Sequence, residues 1–401
     1  MYRIVRIINR FNLGGPTYNV TYLTRYLAPE FETLLIGGMK DESEASSDFI
    51  LQQNGLTPTI VPEMRRSINP TNDIVAYTKI KKLIKDFKPH IVHTHAAKSG
   101  ALGRMAAFAC NVPITIHTFH GHVFHSYFGG LQTSVYKNIE RYLAKRTTAL
   151  VTLSEIQKHE LADIHHIAPR DKFHIVPLGF DLEKFWTNKE TKRKDFRKQF
   201  CIEDNEIAIG IIGRLVPVKD HKMFLNAFKL AKSSTKNKIK AFIIGDGELK
   251  EELMKYCSEI GLTFTSRTDL HPLSDVFFTS WIKEVDIANA GLDIIALSSL
   301  NEGTPVSLIE AQAAGKPIVS TQTGGIENVV MPGETALLSP VGDTQSFADN
   351  LIKLANDKDL RLKLSAKGED FVKNRFHYSA LVKNMADLYS ALLKAKGVRA
   401  I

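Results

Sequence analysis

Cysteine is scarce in this chain. The three present among 401 residues, Cys110, Cys201 and Cys257, stand far apart and are odd in number. They make neither a CxxC metal pair nor a disulfide framework, so a reducing, cytoplasmic setting is expected. Long apolar runs are also missing: none approaches the roughly 18 residues a membrane-spanning helix needs. The opening stretch "MYRIVRIINRFNLGG" has an apolar run too short for a secretory signal and no cleavage site. A GxGxxG fingerprint is absent, which speaks against a dinucleotide oxidoreductase. There is no low-complexity tract and no internal repeat, which removes disordered and solenoid classes.

With 44% hydrophobic and 24% charged residues, the chain is that of a globular protein. Its length suits two domains of about 200 residues. The net charge is +9, and it is uneven: residues 1–180 hold 21 Lys+Arg against 14 Asp+Glu, whereas residues 181–401 hold 31 against 29. A basic first half can attract nucleic acid, an anionic membrane face or a phosphorylated substrate, or it can be an ordinary solvated surface.

Short β-rich apolar runs recur, each followed by a helical pattern. They fall at 3–8, 32–37, 57–61, 90–95, 114–119, 148–153 and 173–179, then at 207–213, 240–247, 276–281, 292–299, 316–321 and 335–340. Continuous apolar runs of this length suit strands buried on both faces, and their alternation with helices predicts an α/β fold with parallel sheets. The charged stretch from Asp181 to Glu206 lacks a strand pattern, so a domain junction is placed near residue 180. Each half then carries a doubly wound sheet that binds ligands beyond the carboxyl ends of its strands, and the cleft between the halves is the expected site. Residues 378–396 place Leu381, Met385, Leu388 and Leu392 on one face of an amphipathic helix.

"NEGTPVSLIE" (301–310) sets Glu302 and Glu310 eight residues apart after the apolar run "LDIIALSS". The spacing predicts a strand, a loop holding Glu302, a helix with Thr304 as N-cap and Pro305 at its first position, and a stop at Gly315. The free N–H groups of Val306, Ser307 and Leu308 then form an anion site at the helix start. A diphosphate on that helix start, with one acid on sugar hydroxyls and the other on a ribose diol, uses every part. The plainer alternative is a strand–loop–helix unit with two surface acids.

The stretch "ALSSLNEGTPVSLIEAQAAGKPIVSTQTGGIENVVMPGETALL" (296–338) resembles the signature region of retaining glycosyltransferases of the GT-B fold, family 4, in a bacterial surface-polysaccharide branch. The resemblance implies two facing Rossmann-like domains with an interdomain cleft: 1–180 on the acceptor side, 181–375 for the nucleotide-sugar, and 376–401 a helix crossing back to the first domain. It implies that Glu302 approaches the donor sugar and that Glu310 holds the ribose, with Gly303, Thr304, Pro305, Val306, Ser307 and Leu308 around the donor.

In "GIIGRLVPVKDH", Arg214 and Lys219 lie just past the first strand of the second half, where two cations can neutralise a diphosphate. The resemblance assigns them to the donor. Gly14 and Gly15 make a turn after the first strand that in similar proteins faces donor phosphates, and Gly245 of "IIGDGELKEEL" lies beside the base in relatives. Trp281 and Lys283 depart from the commoner base-contacting pattern. Leu178 replaces the Asn usual before the Gly in "VPLGFDLEKF".

"HTFHGHVFHSYF" (117–128) holds His117, His120, His122 and His125, yet no Cys or HExxH accompanies them, and no metal is expected. The resemblance matches His120 to a histidine close to the transferred sugar, with His122 second. His95, Lys98 and Ser99, at a strand end and helix start, are candidates for an anionic acceptor group. "DKD" at 357–359 lies in a polar turn away from any strand end and reads as solvated surface.

The resemblance thus implies an enzyme that moves a sugar from a nucleotide-diphosphate donor, with a UDP-sugar expected, to a lipid-linked or polysaccharide acceptor. No cofactor, no metal and no nucleic acid are expected. A peripheral contact with an anionic membrane is compatible with the basic first half. Two other readings share the architecture: a UDP-sugar epimerase, which needs no acceptor, and a non-catalytic nucleotide-sugar-binding subunit.

Overall fold

The structure, a computed structural model, describes residues 1–12, 15–39, 47–65, 67, 69–120, 130–266 and 271–400. The chain forms two compact units, Met1–Phe180 with Arg375–Ile401, and Asp181–Asn374.

The first unit holds strands β1 (Tyr2–Ile8), β2 (Phe31–Gly37), β3 (Thr59–Ile60), β4 (Ile91–His95), β5 (Ile114–Thr118), β6 (Ala149–Thr152) and β7 (Phe173–Ile175). They pair in the order β3-β2-β1-β4-β5-β6-β7. All the pairings are parallel. The order reverses at β1 and β4, the arrangement of a doubly wound sheet. One face packs Ile4, Ile91, Ile114, Ala149 and Val151 against Leu381, Met385, Leu388, Tyr389 and Leu393 of the terminal helix Tyr378–Ala395. That helix is tied down where Phe180 N–H donates to the Phe376 carbonyl (2.8 Å) and Tyr378 N–H to that of Phe180 (3.0 Å). Leu178 is buried in this unit and faces Gly15, the first residue of helix Gly15–Tyr26.

In the second unit β8 (Ile207–Ile212), β9 (Ile239–Ile244), β10 (Phe264–Ser266), β11 (Val276–Phe278), β12 (Ile294–Leu297), β13 (Ile318–Thr321) and β14 (Ala336–Ser339) pair in the order β10-β11-β9-β8-β12-β13-β14. Every pairing is again parallel. The switch point lies between β8 and β12. β10 has no counterpart among the expected strands: "FTS" is short, polar and at a sheet edge, so it carries no buried apolar run. The charged stretch after Asp181 is helical, at Glu183–Trp186 and Lys189–Gln199. It belongs to this unit because Phe196 and Phe200 pack on Phe242 of β9. Arg193 and Arg197 also clasp Asp293 at 2.8 and 3.1 Å.

Candidate functional site

The carboxyl ends of β8, β12 and β13 bring three loops together. Ser298, just past β12, donates to the carbonyls of Lys219 and Asp220, both at 2.9 Å, and Leu300 N–H donates to the Val218 carbonyl at 2.8 Å. These bonds dock the loop after β8 onto the loop after β12. Lys219 thereby reaches Glu302 and forms a half-buried ion pair with its Oε1, which also accepts from Ser299 Oγ at 2.6 Å. Lys219, expected on the donor diphosphate, and Glu302, expected on the donor sugar, are thus direct partners here.

A third loop buttresses the second. Thr321 and Thr323 donate to the carbonyls of Ser299 (2.6 Å) and Leu300 (2.9 Å), and Gly325 N–H donates to the Glu302 carbonyl (2.8 Å). A Cβ on Gly325 would overlap the Gly303 carbonyl oxygen, so only glycine permits this approach. The physical role of "TGG" at 323–325 was missed in the sequence reading; its signal was two glycines just past a strand. Gly245 is a similar case. Its φ is +153° and a Cβ would overlap the Gly213 carbonyl, because the loops after β8 and β9 run backbone to backbone. Arg214 is exposed on the first of these loops. Trp281 and Lys283 are also exposed.

The helix after Glu302 runs Val306–Ala313. It starts one residue later than expected: Pro305, with ψ 97°, is the cap, and Thr304 caps nothing. Leu308 N–H donates to the Pro305 carbonyl at 3.1 Å. Of the three N–H groups expected to be free, those of Val306 and Ser307 remain without a partner among the described residues. Glu310 lies on this helix and is mostly buried. Burial pushes its carboxyl up to about 7; Asp286 adds to the rise and Lys184 opposes it.

In the first unit a polar column crosses an otherwise apolar sheet face. Arg6 of β1 pairs in register with His93 of β4, and His95 of β4 with Thr118 of β5. Arg6 is fully buried and donates to Tyr389 Oη at 3.4 Å. Tyr389 Oη lies 2.5 Å from His93 Nδ1, and His93 Nε2 lies 2.7 Å from Thr118 Oγ1. The His93 ring lies against that of His95, tilted by 32° with centroids 4.2 Å apart, and His95 Nδ1 meets His120 Nε2 at 2.8 Å. Burial holds both rings of this last pair neutral: His95 lies well below the usual histidine value and His120 is lowered to about 3.

Lys98 and Ser99, the other acceptor candidates, are engaged within the fold. Lys98 pairs with Asp73 and donates to the Ser67 carbonyl, both at 2.5 Å, while Ser99 Oγ donates to the His95 carbonyl. Gly14, His122 and His125 lie outside the described residues. His117 is buried and spent on Thr94 Oγ1 at 2.9 Å. Among the described residues no group of three or more His, Cys, Asp or Glu could hold a metal ion. Asp357 of "DKD" is exposed and accepts from Leu360 N–H at a helix start.

The model of Glycosyltransferase Family 4 matches residues 13–184, and that of Glycosyl transferases group 1 matches residues 192–371. Together they cover most of the sequence. The chain belongs to this glycosyltransferase family. Among curated proteins, this glycosyltransferase is 29% identical over 350 residues, 87% of each chain, to an Escherichia coli UDP-Gal:alpha-D-GlcNAc-diphosphoundecaprenol alpha-1,3-galactosyltransferase. It is 25% identical to the capsular polysaccharide biosynthesis glycosyltransferase CapM of Staphylococcus aureus, covering 84% of this chain and 85% of that one. Among solved structures, Anabaena HepE in complex with UDP superposes with a TM-score of 0.80 at 16% identity, covering 97% of this chain and all of the other. That likeness shows the fold to be GT-B.

Proposed function

We propose that this glycosyltransferase transfers a sugar from a UDP-sugar to a lipid-linked or polysaccharide acceptor, with retention at the anomeric carbon and without a metal. The observation that carries the reading is the set of groups at the β8 and β12 strand ends: two carboxylates, two cations and a helix start with two unpaired N–H groups. The wording of the Escherichia coli relative's name, a UDP-sugar donor and a diphosphoundecaprenol-linked acceptor, supports both substrate classes.

In this mechanism the acceptor hydroxyl oxygen bonds to the anomeric carbon as the bond from that carbon to the diphosphate oxygen breaks. The bond's electrons leave with the diphosphate, and the hydroxyl proton passes to a phosphate oxygen on the same face. Lys219, Arg214 and the N–H groups of Val306 and Ser307 receive the negative charge that develops there, which is the role a metal plays elsewhere. Glu302 orients the sugar hydroxyls. Its oxygen is already held by Lys219 and Ser299, which makes it a poor covalent nucleophile and favours front-face attack. Glu310 grips the ribose diol, Gly245 and Gly303 let backbone approach the donor, and His120 hydrogen-bonds the sugar.

A lipid-linked acceptor lies in a membrane, and no described helix is long and apolar enough to cross one. Helix Gly130–Arg146 exposes Val135, Ile139 and Tyr142 beside Met105, lining a groove of about 640 Å³. The same helix carries Lys137, Arg141, Lys145 and Arg146, while its one acid, Glu140, is buried against Arg104. An apolar stripe on a helix rich in cations suits peripheral contact with an anionic cytoplasmic leaflet.

A thermal-shift screen against UDP-, GDP-, ADP- and dTDP-sugars, with NAD as control, tests the donor assignment. A selective rise in Tm with a UDP-sugar is expected. A shift with NAD alone, or with none of them, overturns the reading.

A further inference from the structure

His95 and His120 share one hydrogen bond, and each has a second ring nitrogen, His95 Nε2 and His120 Nδ1, that is covered and has no partner among the described residues. Both rings are neutral, so each carries one proton, and only one of the two facing nitrogens can hold it. The direction of the shared bond therefore fixes which outer nitrogen is a donor. If His95 Nδ1 donates, His120 must carry its own proton on Nδ1. If His120 Nε2 donates, the outer proton sits on His95 Nε2 instead.

Two observations choose between them. First, Arg6 is a permanent cation on the far side of His95 from His120. Arg6 pairs in register with His93, two residues before His95, whereas His120 lies two residues past Thr118, the register partner of His95. With its proton on Nδ1, His95 turns the positive end of its ring dipole toward His120, away from the guanidinium, and leaves a lone pair on Nε2. In the reverse tautomer the proton sits on His95 Nε2, away from His120, where the nearby Arg6 charge disfavours it. Arg6 can only donate, so Tyr389 Oη accepts from it. Second, an orphaned N–H is more costly to bury than an orphaned lone pair. His95 is fully buried, whereas His120 keeps part of its surface exposed. Both outer nitrogens are covered, but the His120 ring reaches the surface, so it is there that a bound ligand can meet the N–H.

We infer that His95 is a positioning residue: by donating from Nδ1 to His120 Nε2, it holds His120 in the tautomer protonated at Nδ1 and so presents a hydrogen-bond donor to an oxygen of the bound sugar. The role of His120 toward sugar rests on the function proposed above; the tautomer does not. His95 was a candidate for acceptor contact, and the geometry gives it work behind His120 instead.

Two-bond proton–nitrogen spectra of the full chain, with histidine rings labelled with ¹⁵N and each signal assigned by substitution, read the tautomer without any substrate. In the native chain His120 should show the pattern of a neutral ring protonated at Nδ1. His95→Leu should return His120 to the Nε2-protonated form that a free histidine side chain prefers. His95→Asn, whose side-chain amide sits where Nδ1 does, should restore the Nδ1 pattern. An Nε2-protonated His120 in the native chain overturns the inference even if neither variant folds, and so does an unchanged His120 pattern in folded His95→Leu. If instead the tautomer is as stated but His120→Ala transfers sugar at the native rate, the tautomer stands and the sugar contact falls.

Discussion

Glu310 is a residue whose chemistry responds to pH near neutrality. Its folded value, about 7, lies above that of an exposed carboxylate because burial disfavours the charged form. The native state therefore binds a proton more tightly than the unfolded chain, and stability falls as pH rises from about 4.5 to about 7. Glu310→Gln removes that loss. Its Tm should match the native protein at pH 4 and exceed it at pH 8, by the equivalent of about 1–2 kcal/mol, since the carboxyl keeps some solvent contact. Donor binding should show the opposite preference. A ribose diol donates to the ionised carboxylate, so affinity for a UDP-sugar should rise through pH 7 in the native protein and stay weak and flat in Glu310→Gln. Calorimetry at pH 6 and pH 8 separates these, and equal affinities for native and variant protein would remove the ribose role. At this scale the sequence was legible where spacing decides: Glu302 lies on the loop after β12 and Glu310 on the helix that follows it, as the spacing predicts. It was silent where partners are distant: the Lys219–Glu302 pair and the His95–His120 bond each join two strand ends, and no local pattern announces either.

At the scale of elements, helix and strand identities were legible because apolar periodicity decides them, while their ends were not. Helix Val306–Ala313 starts one residue late because Pro305 keeps an extended ψ, and this takes Leu308 out of the anion site. The loop of Glu302 is held from behind by Gly325, where a side chain has no room. Gly325→Ala should push the 301–303 loop away and weaken UDP-sugar binding at least tenfold in calorimetry with little loss of Tm; native affinity would show that the loop position does not matter. In the first unit, Arg104 of helix Ala97–Ala109 and Glu140 of helix Gly130–Arg146 make a buried two-pronged pair, with both bonds at 2.8 Å. Glu140→Ala leaves that guanidinium buried and unpaired, and should cost about 3–5 kcal/mol by urea unfolding. A cost below about 1 kcal/mol would mean that water reaches Arg104.

For the whole molecule, the alternation of apolar runs and helical patterns was enough to expect two doubly wound parallel sheets, and both are seen. The charge asymmetry was legible as a number but not as a surface. Only the fold shows that Glu140, the one acid of its helix, turns inward onto Arg104. That predicts flotation with vesicles containing anionic lipid, weakened by high salt and by Ile139→Glu with Tyr142→Glu, and absent with neutral lipid. Equal recovery on both vesicle types would argue against the basic face.

The most direct measurement of the central claim is sugar transfer itself. The purified protein is incubated with the UDP-sugar that raises its Tm and with a lipid-diphosphate-linked N-acetylhexosamine, in the presence of a chelator, and the lipid fraction is followed by mass spectrometry and anomeric NMR. An acceptor heavier by one sugar residue is expected, with the donor's anomeric configuration retained, and a rate lowered at least 100-fold in Lys219→Ala. An inverted product, turnover only with added Mg²⁺ or Mn²⁺, or conversion of the UDP-sugar with no acceptor present would contradict the claim.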